Sequence, residues 1–105
     1  MSKDKFYIIT IDNDNYPRTF DKKKFHNQLT TAVGVKAWWH YLESTYIIKV
    51  DYLINSNHIA GFMVEIAPDK KYFTSEIKLN DINGWLPQEA WDWIKENSNL
   101  NNSFE

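Results

Sequence analysis

The segment WWHYLESTYIIKV, residues 38–50, has the composition of two short β-strands and is the most informative stretch of this chain. β-Branched and aromatic side chains, which favour strands, are frequent from Val35 to Asp51. The residues between Leu42 and Thr45 are the expected place for a turn or a bulge. We therefore predict two antiparallel strands, at about 36–41 and 45–51, joined as a hairpin.

A buried strand and a helix are predicted before the hairpin. The run FYIITI, residues 6–11, is too short for a helix, and its apolar, β-branched character is typical of a central strand buried on both faces. Turn-forming residues follow at 12–17 and begin a loop. Asp21 is a suitable N-cap for a helix with apolar residues at helical spacing, and Gly34 is a suitable stop. The first helix is expected at about 21–33.

Two further helices and one more strand are predicted after the hairpin. Asn55 or Ser56 caps a helix whose apolar residues have i, i+3, i+4, i+7 spacing. These residues are Ile59, Phe62, Met63 and Ile66. Lys71–Leu79 alternates between a polar and an apolar face, as a half-exposed strand does. Pro87 suits the start of a third helix, at Gln88–Asn97.

The elements follow the order βαββαβ with one more helix at the end, which is the order of the ferredoxin-like fold. We therefore predict an α+β protein, with a four-stranded antiparallel sheet, two helices on one face and a C-terminal helix. A chain of 105 residues has room for one domain. We place this single ferredoxin-like domain at residues 1–97 and expect a disordered polar tail at 98–105.

The composition excludes several classes of function. The sequence has no cysteine, which removes disulfides, thiolate nucleophiles and cysteine-ligated metal centres. Because no apolar run approaches the roughly 20 residues of a transmembrane helix, we expect a soluble, cytoplasmic protein without a membrane partner. The net charge of −2 argues against a protein that coats duplex nucleic acid, since such binding scales with phosphate contacts. Two roles are open to the basic run Lys22–Lys24, contact with phosphate and a solvated helix face, and we expect the second.

Aromatic residues make up 16% of the chain, which is high enough that some can serve binding while most fill the core. Trp91 and Trp93 are two positions apart on the third predicted helix and therefore lie on opposite sides of it. We expect one of them to pack against the sheet or a partner protomer and the other to be an exposed anchor.

The aromatic residues of the hairpin are the main candidates for ligand binding. Strand alternation puts Trp39 and Tyr41 on one face of the sheet and Trp38 with His40 on the other. One pair is expected in the core, and the other faces solvent or a partner. An exposed aromatic pair on an open sheet stacks nucleobases at roughly 1–3 kcal/mol per base. The alternative is that a dimer interface covers the same sheet face.

The end of the hairpin carries hydrogen-bonding groups. Glu43, Ser44 and Thr45 are expected either to line a small-ligand pocket or to satisfy a turn. His26 and His58 fall on predicted helices without partners at metal-ligand spacing, so we expect both at the surface.

Three features of the sequence together resemble a known family. They are the hairpin segment at 38–50 after a helix-ending glycine, the segment GWLPQEAWDWI at 84–94, and a first strand that ends in an aspartate. Over residues 6–97 the chain resembles small stand-alone bacterial and phage proteins described as SinR-like, which are distant relatives of the small CRISPR adaptation subunit. The resemblance implies a ferredoxin-like protomer that forms a homodimer. It also implies that the first-strand aspartates, Asp12 in this sequence, face each other across the dimer axis.

The aspartate pair implied by this resemblance is a candidate catalytic metal site. The Asp12 carboxylates of two protomers would hold one Mg²⁺ or Mn²⁺ and activate water to cleave a phosphodiester. Asp14 is close enough in sequence to be a further metal ligand, and Asn13 and Asn15 offer neutral oxygens. The alternative is structural, since a carboxylate in an Asn-rich turn commonly caps that turn or the next helix.

The sequence is therefore consistent with three functions. The first, which we favour, is a homodimer that binds a nucleotide or a short RNA or DNA through aromatics near the dimer interface, without turnover. In one version, implied by the phage relatives, the protein is a sponge for a signalling nucleotide. The second is a Mg²⁺- or Mn²⁺-dependent endonuclease that uses Asp12 of each protomer. The third is a protein-binding module with exposed tryptophans as anchors.

Overall fold

The computed structural model describes residues 4–14 and 16–98 of the chain. The secondary structure of these residues follows the predicted order, with a third helix at the end. The elements are β1 (Lys5–Ile11), α1 (Lys22–Thr30), β2 (Val35–Leu42), β3 (Thr45–Val50), α2 (Ser56–Ile66), β4 (Tyr72–Ile77) and α3 (Gln88–Asn97). Apart from Ser98, the residues of the predicted tail lie outside the described residues, and Ser98 itself is buried.

The four strands form an antiparallel sheet in the order β2-β3-β1-β4. The apolar strand β1 lies between β3 and β4, as its composition predicts. The predicted α+β, ferredoxin-like architecture is confirmed. None of the helices in the described residues is both long enough and apolar enough to cross a membrane.

One face of the sheet is covered by α1 and α2. Phe25 and Leu29 of α1 and Ile59 and Met63 of α2 are buried against the strands. The sheet residues that they meet are Tyr7, Ile9, Ile11, Tyr46, Ile48 and Val50. These side chains alternate along β1 and β3, so the alternation of the sequence decides which residues face the helices.

The other face of the sheet is covered by α3. Trp39 is only 3% exposed and packs with Ala90 and Ile94, and its indole N–H donates to the Ala90 carbonyl at 3.2 Å. Tyr41 packs against the same cluster, with its ring centroid 5.4 Å from that of Trp39. Trp39 and Tyr41 are therefore the core pair of the hairpin. The open sheet face that the sequence suggested for base stacking or dimerisation is occupied by this helix instead.

The tryptophans of α3 differ from the sequence expectation. Trp91 and Trp93 are both half-buried and both pack against the cluster that contains Trp39. Trp93 also meets Phe6 of β1 edge-on, at 6.2 Å between ring centroids. The prediction that one of the two is an exposed anchor is wrong, because both flanks of the helix contact the sheet. The fully exposed tryptophan is Trp85, in the loop before α3.

The helix starts follow their sequence signals. Asp21 caps α1 by accepting from the backbone N–H groups of Lys23 and Lys24, at 3.0 and 3.1 Å. Asn55 caps α2 in the same way, and the His58 side chain accepts from the Asn55 backbone N–H to complete a capping box. The first helix ends at Thr30, three residues earlier than predicted, because the chain turns before Gly34, whose φ is +90°.

Candidate functional site

A cavity of about 420 Å³ lies between α1 and the β2–β3 hairpin, beside the end of β1. Its size falls within the range of small-molecule sites. The loop that follows β1 closes one side of it. The lining residues are Ile11, Asp12, Asn13, Phe20, Lys22, Lys23, Phe25, His26, Asn27, His40, Glu43 and Tyr46.

Three of the lining rings come from three different elements and contact one another. His26 comes from α1, His40 from β2 and Tyr46 from β3. The Nδ1 atom of His26 lies 2.7 Å from the Tyr46 hydroxyl, and the His40 ring is stacked on the Tyr46 ring at 3.9 Å. The His26 and His40 ring centroids are 6.0 Å apart. We call the cavity around His26, His40 and Tyr46 the histidine pocket.

The hydrogen bonds of the histidine pocket decide which nitrogen of His40 carries a proton. Nδ1 of His40 lies 3.0 Å from the Thr45 carbonyl oxygen. Because a carbonyl only accepts, this Nδ1 is protonated, and the Nε2 atom of the neutral ring has a lone pair. The ring of His40 is therefore oriented by the backbone of the hairpin.

Burial changes the ionisation of the other two rings. Burial lowers the pKa of His26, and the nearby charge of His40 lowers it further. Burial raises the pKa of Tyr46 to about 12, so its hydroxyl stays protonated at neutral pH. The pocket therefore presents a neutral phenol and an imidazole that is neutral at physiological pH.

The rim of the pocket is charged. The Lys22 ammonium lies 3.2 Å from the Glu43 carboxylate and 3.2 Å from the Asn13 amide oxygen. The hydrogen bonds from Lys22 and then from Asn13 hold the pKa of Glu43 below its usual range. Both ends of this ion pair are exposed, so it contributes little stability. Lys22 can therefore exchange Glu43 for an anionic ligand at low cost.

The loop after β1 is held in place by a buried lysine. Lys70 is 6% exposed, and its ammonium donates to the Asp14 carboxylate at 2.6 Å and to the Asp14 and Tyr16 carbonyls at 2.9 and 2.8 Å. The same ammonium lies 5.1 Å from the centre of the Phe20 ring. Because Phe20 lines the histidine pocket, Lys70 fixes one wall of the pocket from outside.

The two aspartates predicted as metal ligands have different surroundings. Asp12 lines the histidine pocket, and its backbone N–H donates to the Lys71 carbonyl at 3.0 Å. The hydrogen bond from Lys70 lowers the pKa of Asp14. Within residues 4–14 and 16–98, no group of three or more histidine and carboxylate side chains is placed to hold a metal ion. A shared metal between two Asp12 carboxylates requires a second protomer and stays a prediction.

Two of the predicted ligand-binding residues of the hairpin line the pocket, namely His40 and Glu43. Trp38 lies next to it, 42% exposed, with its ring meeting the His26 ring edge-on at 4.7 Å. Trp39 and Tyr41 lie on the opposite face of the sheet, in the core under α3.

Ser44 and Thr45, the other two candidates at the hairpin end, use their backbones to hold structure. The Ser44 carbonyl accepts from the Ile11 backbone N–H at 2.9 Å, which ties the hairpin to β1. The Thr45 carbonyl accepts from His40, as described above. The sequence left two roles open for these residues, lining a ligand pocket or satisfying a turn, and their backbones do the second.

Among the pocket residues that sequence reasoning did not select are His26 and Tyr46, and Lys22 was expected to be solvated rather than to line a site. His26 was expected at the helix surface, but it is half-buried because α1 packs against β2 and β3 at this point. One local signal was present, since Lys22 and His26 are four residues apart and so share a helix face. The contact of His26 with Tyr46 spans 20 residues, and no local spacing reveals it.

Comparison of the chain with protein-family models, with curated proteins and with solved structures gave no match. The chemistry of the site therefore rests on the geometry described above.

Proposed function

We propose that this protein binds a nucleotide, or a nucleotide of a short single strand, in the histidine pocket. The observation that carries this proposal is the combination of stacked rings inside the pocket with two lysines at its rim. Ligands with a flat aromatic part and an anionic part fit such a site.

The ring-lined part of the pocket suits a nucleobase. Phe25 and Tyr46 supply apolar contact but are only 4% and 3% exposed. The half-buried rings of Phe20 and His40 are therefore the ones that can stack on a base, at roughly 1–3 kcal/mol per base. Asn13, Asn27 and Glu43 offer both donors and acceptors for the edge of a base. The cavity volume of about 420 Å³ is suited to one nucleotide rather than to a duplex.

The rim suits a phosphate. Lys22 and Lys23 come from the first turn of α1 and line the pocket together. Lys22 is held in place by Asn13 and Glu43, which orients its charge without burying it. Because only a few cations face the ligand, we expect moderate affinity with a shallow salt dependence.

This proposal includes two features of the function that the sequence favoured. One is the homodimer implied by the resemblance, which light scattering at micromolar concentration tests by giving the mass of two chains. The other is the sponge version, in which the protein sequesters a signalling nucleotide without changing it. Mass spectrometry under native conditions tests this version, by detecting a nucleotide that copurifies with the protein.

The direct test is isothermal titration with cyclic and linear nucleotides and with short RNAs. We expect Lys22→Ala and His40→Ala to weaken binding about tenfold or more, since each removes a contact to one part of the ligand. Lys24→Ala is the matched control, because Lys24 is exposed on the same helix turn and does not line the pocket. Absence of heat with every ligand would reject the proposal.

A protein-binding function is the second candidate, because Trp85 is fully exposed in the loop before α3. Exposed tryptophans are common anchors of protein interfaces. Capture of a partner by the wild-type protein but not by Trp85→Ala supports this function, whereas equal capture by both rejects Trp85 as the anchor.

One observation supports a metal-dependent endonuclease function, namely that Asp12 lines the pocket. Cleavage of RNA or DNA that needs Mg²⁺ or Mn²⁺ and is lost in Asp12→Ala supports it. Substrates that stay intact with either metal count against it.

A further inference from the structure

Two of the three histidines of the sequence meet in the histidine pocket, although they come from different elements. Nδ1 of His26 is held by the Tyr46 hydroxyl and Nδ1 of His40 by the Thr45 carbonyl. In the part of the chain that the structure describes, every hydrogen bond of either ring is made by Nδ1, which leaves Nε2 for a ligand. The ring centroids are 6.0 Å apart, and both rings line the same pocket, so one ligand can meet both.

We propose that this pair of histidines cleaves RNA bound in the pocket, by transferring the phosphodiester to the neighbouring 2′-hydroxyl. The inference rests on the proposed function, because it needs a ribonucleotide in the histidine pocket. The sequence alone suggested binding without turnover, since the catalytic set was incomplete. The structure places a second imidazole beside the first. This reaction requires one acid and one base, and the two imidazoles can supply them.

The reaction needs no oxidant, reductant or further reactant. Nε2 of His40 takes the proton of the 2′-hydroxyl, and the oxygen forms a bond to phosphorus. The bond from phosphorus to the 5′-oxygen breaks, its electron pair stays on that oxygen, and Nε2–H of His26 supplies the proton. The products are a 2′,3′-cyclic phosphate and a 5′-hydroxyl, and proton exchange with water restores both rings.

The hydrogen bonds assign the two roles. His40 is the base, because its protonated Nδ1 donates to the Thr45 carbonyl and leaves the lone pair on Nε2. His26 is the acid, because the Tyr46 hydroxyl can accept from Nδ1–H of the protonated ring. Burial and the charge of His40 lower the pKa of His26, which makes its protonated form a stronger acid. Two positive charges so close disfavour each other, so the reactive state has one proton, on His26, and it gains population as the pH falls below neutral.

The charged groups that face the pair suit a phosphate that gains negative charge. Lys22 and Lys23, at the rim of the pocket, carry positive charges that stabilise this negative charge. Asp12 and Glu43 are the carboxylates that face the pocket, and Glu43 is paired with Lys22. Tyr46 stays neutral, so it adds no negative charge that would hold the proton on His26. The rate should therefore rise and then fall with pH, because the reactive state holds one proton on the two imidazoles.

The test uses the wild-type protein, EDTA and two oligonucleotides of the same sequence, one of RNA and one with 2′-deoxyribose throughout. Cleavage of the RNA to 2′,3′-cyclic phosphate ends, with a bell-shaped pH dependence, and binding of the DNA without cleavage is the expected result. Because the comparison changes the ligand and not the protein, it does not depend on the folding of a variant.

Variants then assign the activity to the pair. We expect His26→Gln and His40→Gln to cleave saturating RNA at least about 100-fold more slowly, whereas His58→Gln retains the rate. His58 is a suitable control because it is exposed on α2, and glutamine can keep the capping box. Equal cleavage by all four proteins would indicate a contaminating nuclease and overturn the inference. RNA that binds and stays intact overturns the inference and leaves the binding function, whereas RNA that neither binds nor is cleaved removes both.

Discussion

Tyr46 contacts both histidines of the pocket. Its hydroxyl is hydrogen-bonded to His26, and the ring of His40 stacks on its face. Its side chain is 3% exposed, at the start of β3. Stacking of His40 and the hydrogen bond to His26 both depend on this one ring. The pocket is therefore organised around a buried phenol rather than around a charged group.

Alkaline pH should destabilise the protein through Tyr46. Its pKa is raised from 10.0 to about 12 by burial, so the stability that its protonated form provides is present below pH 10 and is lost as the pH rises towards 12. We expect a loss of up to roughly 2–3 kcal/mol in the free energy of unfolding, measured by urea denaturation from pH 9 to 12. Tyr46→Phe should lose less over the same range, and identical losses in both proteins would contradict the assignment.

Lys70 should affect the pocket although it does not line it. In Lys70→Met the segment after β1 loses the ammonium that holds the Asp14 and Tyr16 carbonyls. We expect a melting temperature lower by about 5 °C and weaker binding of nucleotide, because charge-assisted hydrogen bonds are lost. Lys71→Met, which changes the exposed neighbour, is the control. Unchanged binding in Lys70→Met would show that the loop is positioned by other contacts.

At the residue scale the sequence predicted part of the pocket. His40 and Glu43 were identified because they lie on the hairpin that the sequence marks most clearly. His26 was not, because a helix surface becomes an interior only when a strand distant in sequence packs against it. The packing of α1 against β3 is a tertiary contact, and the local pattern around His26 does not contain it.

Among the elements, β2 presents aromatic residues on both faces of the sheet, with Trp39 and Tyr41 packed under α3, His40 in the histidine pocket and Trp38 beside it. The alternation of Trp38 and His40 with Trp39 and Tyr41 was predicted and is confirmed. Which pair is buried was left open, because both faces of the strand carry large aromatic side chains. The position of α3 decides this, since it packs on Trp39.

Truncation of the two neighbouring tryptophans should separate core from surface. Trp39→Ala removes a side chain that is 3% exposed, and we expect it to cost about 3–5 kcal/mol in the free energy of unfolding. Trp38→Ala removes one that is 42% exposed and should cost about 1 kcal/mol or less. Urea denaturation of both variants measures the difference, and equal costs would place both residues in the core.

Two glycines should respond in opposite directions to alanine. Gly34 has φ +90°, and a Cβ there would lie 2.8 Å from the Ile54 side chain, so Gly34→Ala should cost more than about 1 kcal/mol. Gly61 lies within α2 with open space around it, so Gly61→Ala should stabilise by about 0.5–1 kcal/mol. Thermal denaturation compares the two, and a stabilised Gly34→Ala would contradict the turn geometry.

At the scale of the whole molecule, the fold was predicted more completely than the site. The order of elements, the central position of β1 and the caps at Asp21 and Asn55 all follow from local patterns and are confirmed. The packing of α3 over the second sheet face was not predicted, because its two tryptophans suited either this sheet or a partner protomer. Because α3 covers this face, the histidine pocket lies on the other side of β2, where α1 meets the hairpin.

If ligands enter the histidine pocket, two of the three histidines of the chain must sense them. NMR spectra of the imidazole protons should be recorded while nucleotides and a short 2′-O-methyl RNA, which lacks a free 2′-hydroxyl, are added. We predict that the signals of His26 and His40 shift together and saturate, while His58, exposed on α2, does not move. If all three signals stay unchanged at millimolar ligand, or if only His58 moves, nucleotides do not bind in this pocket.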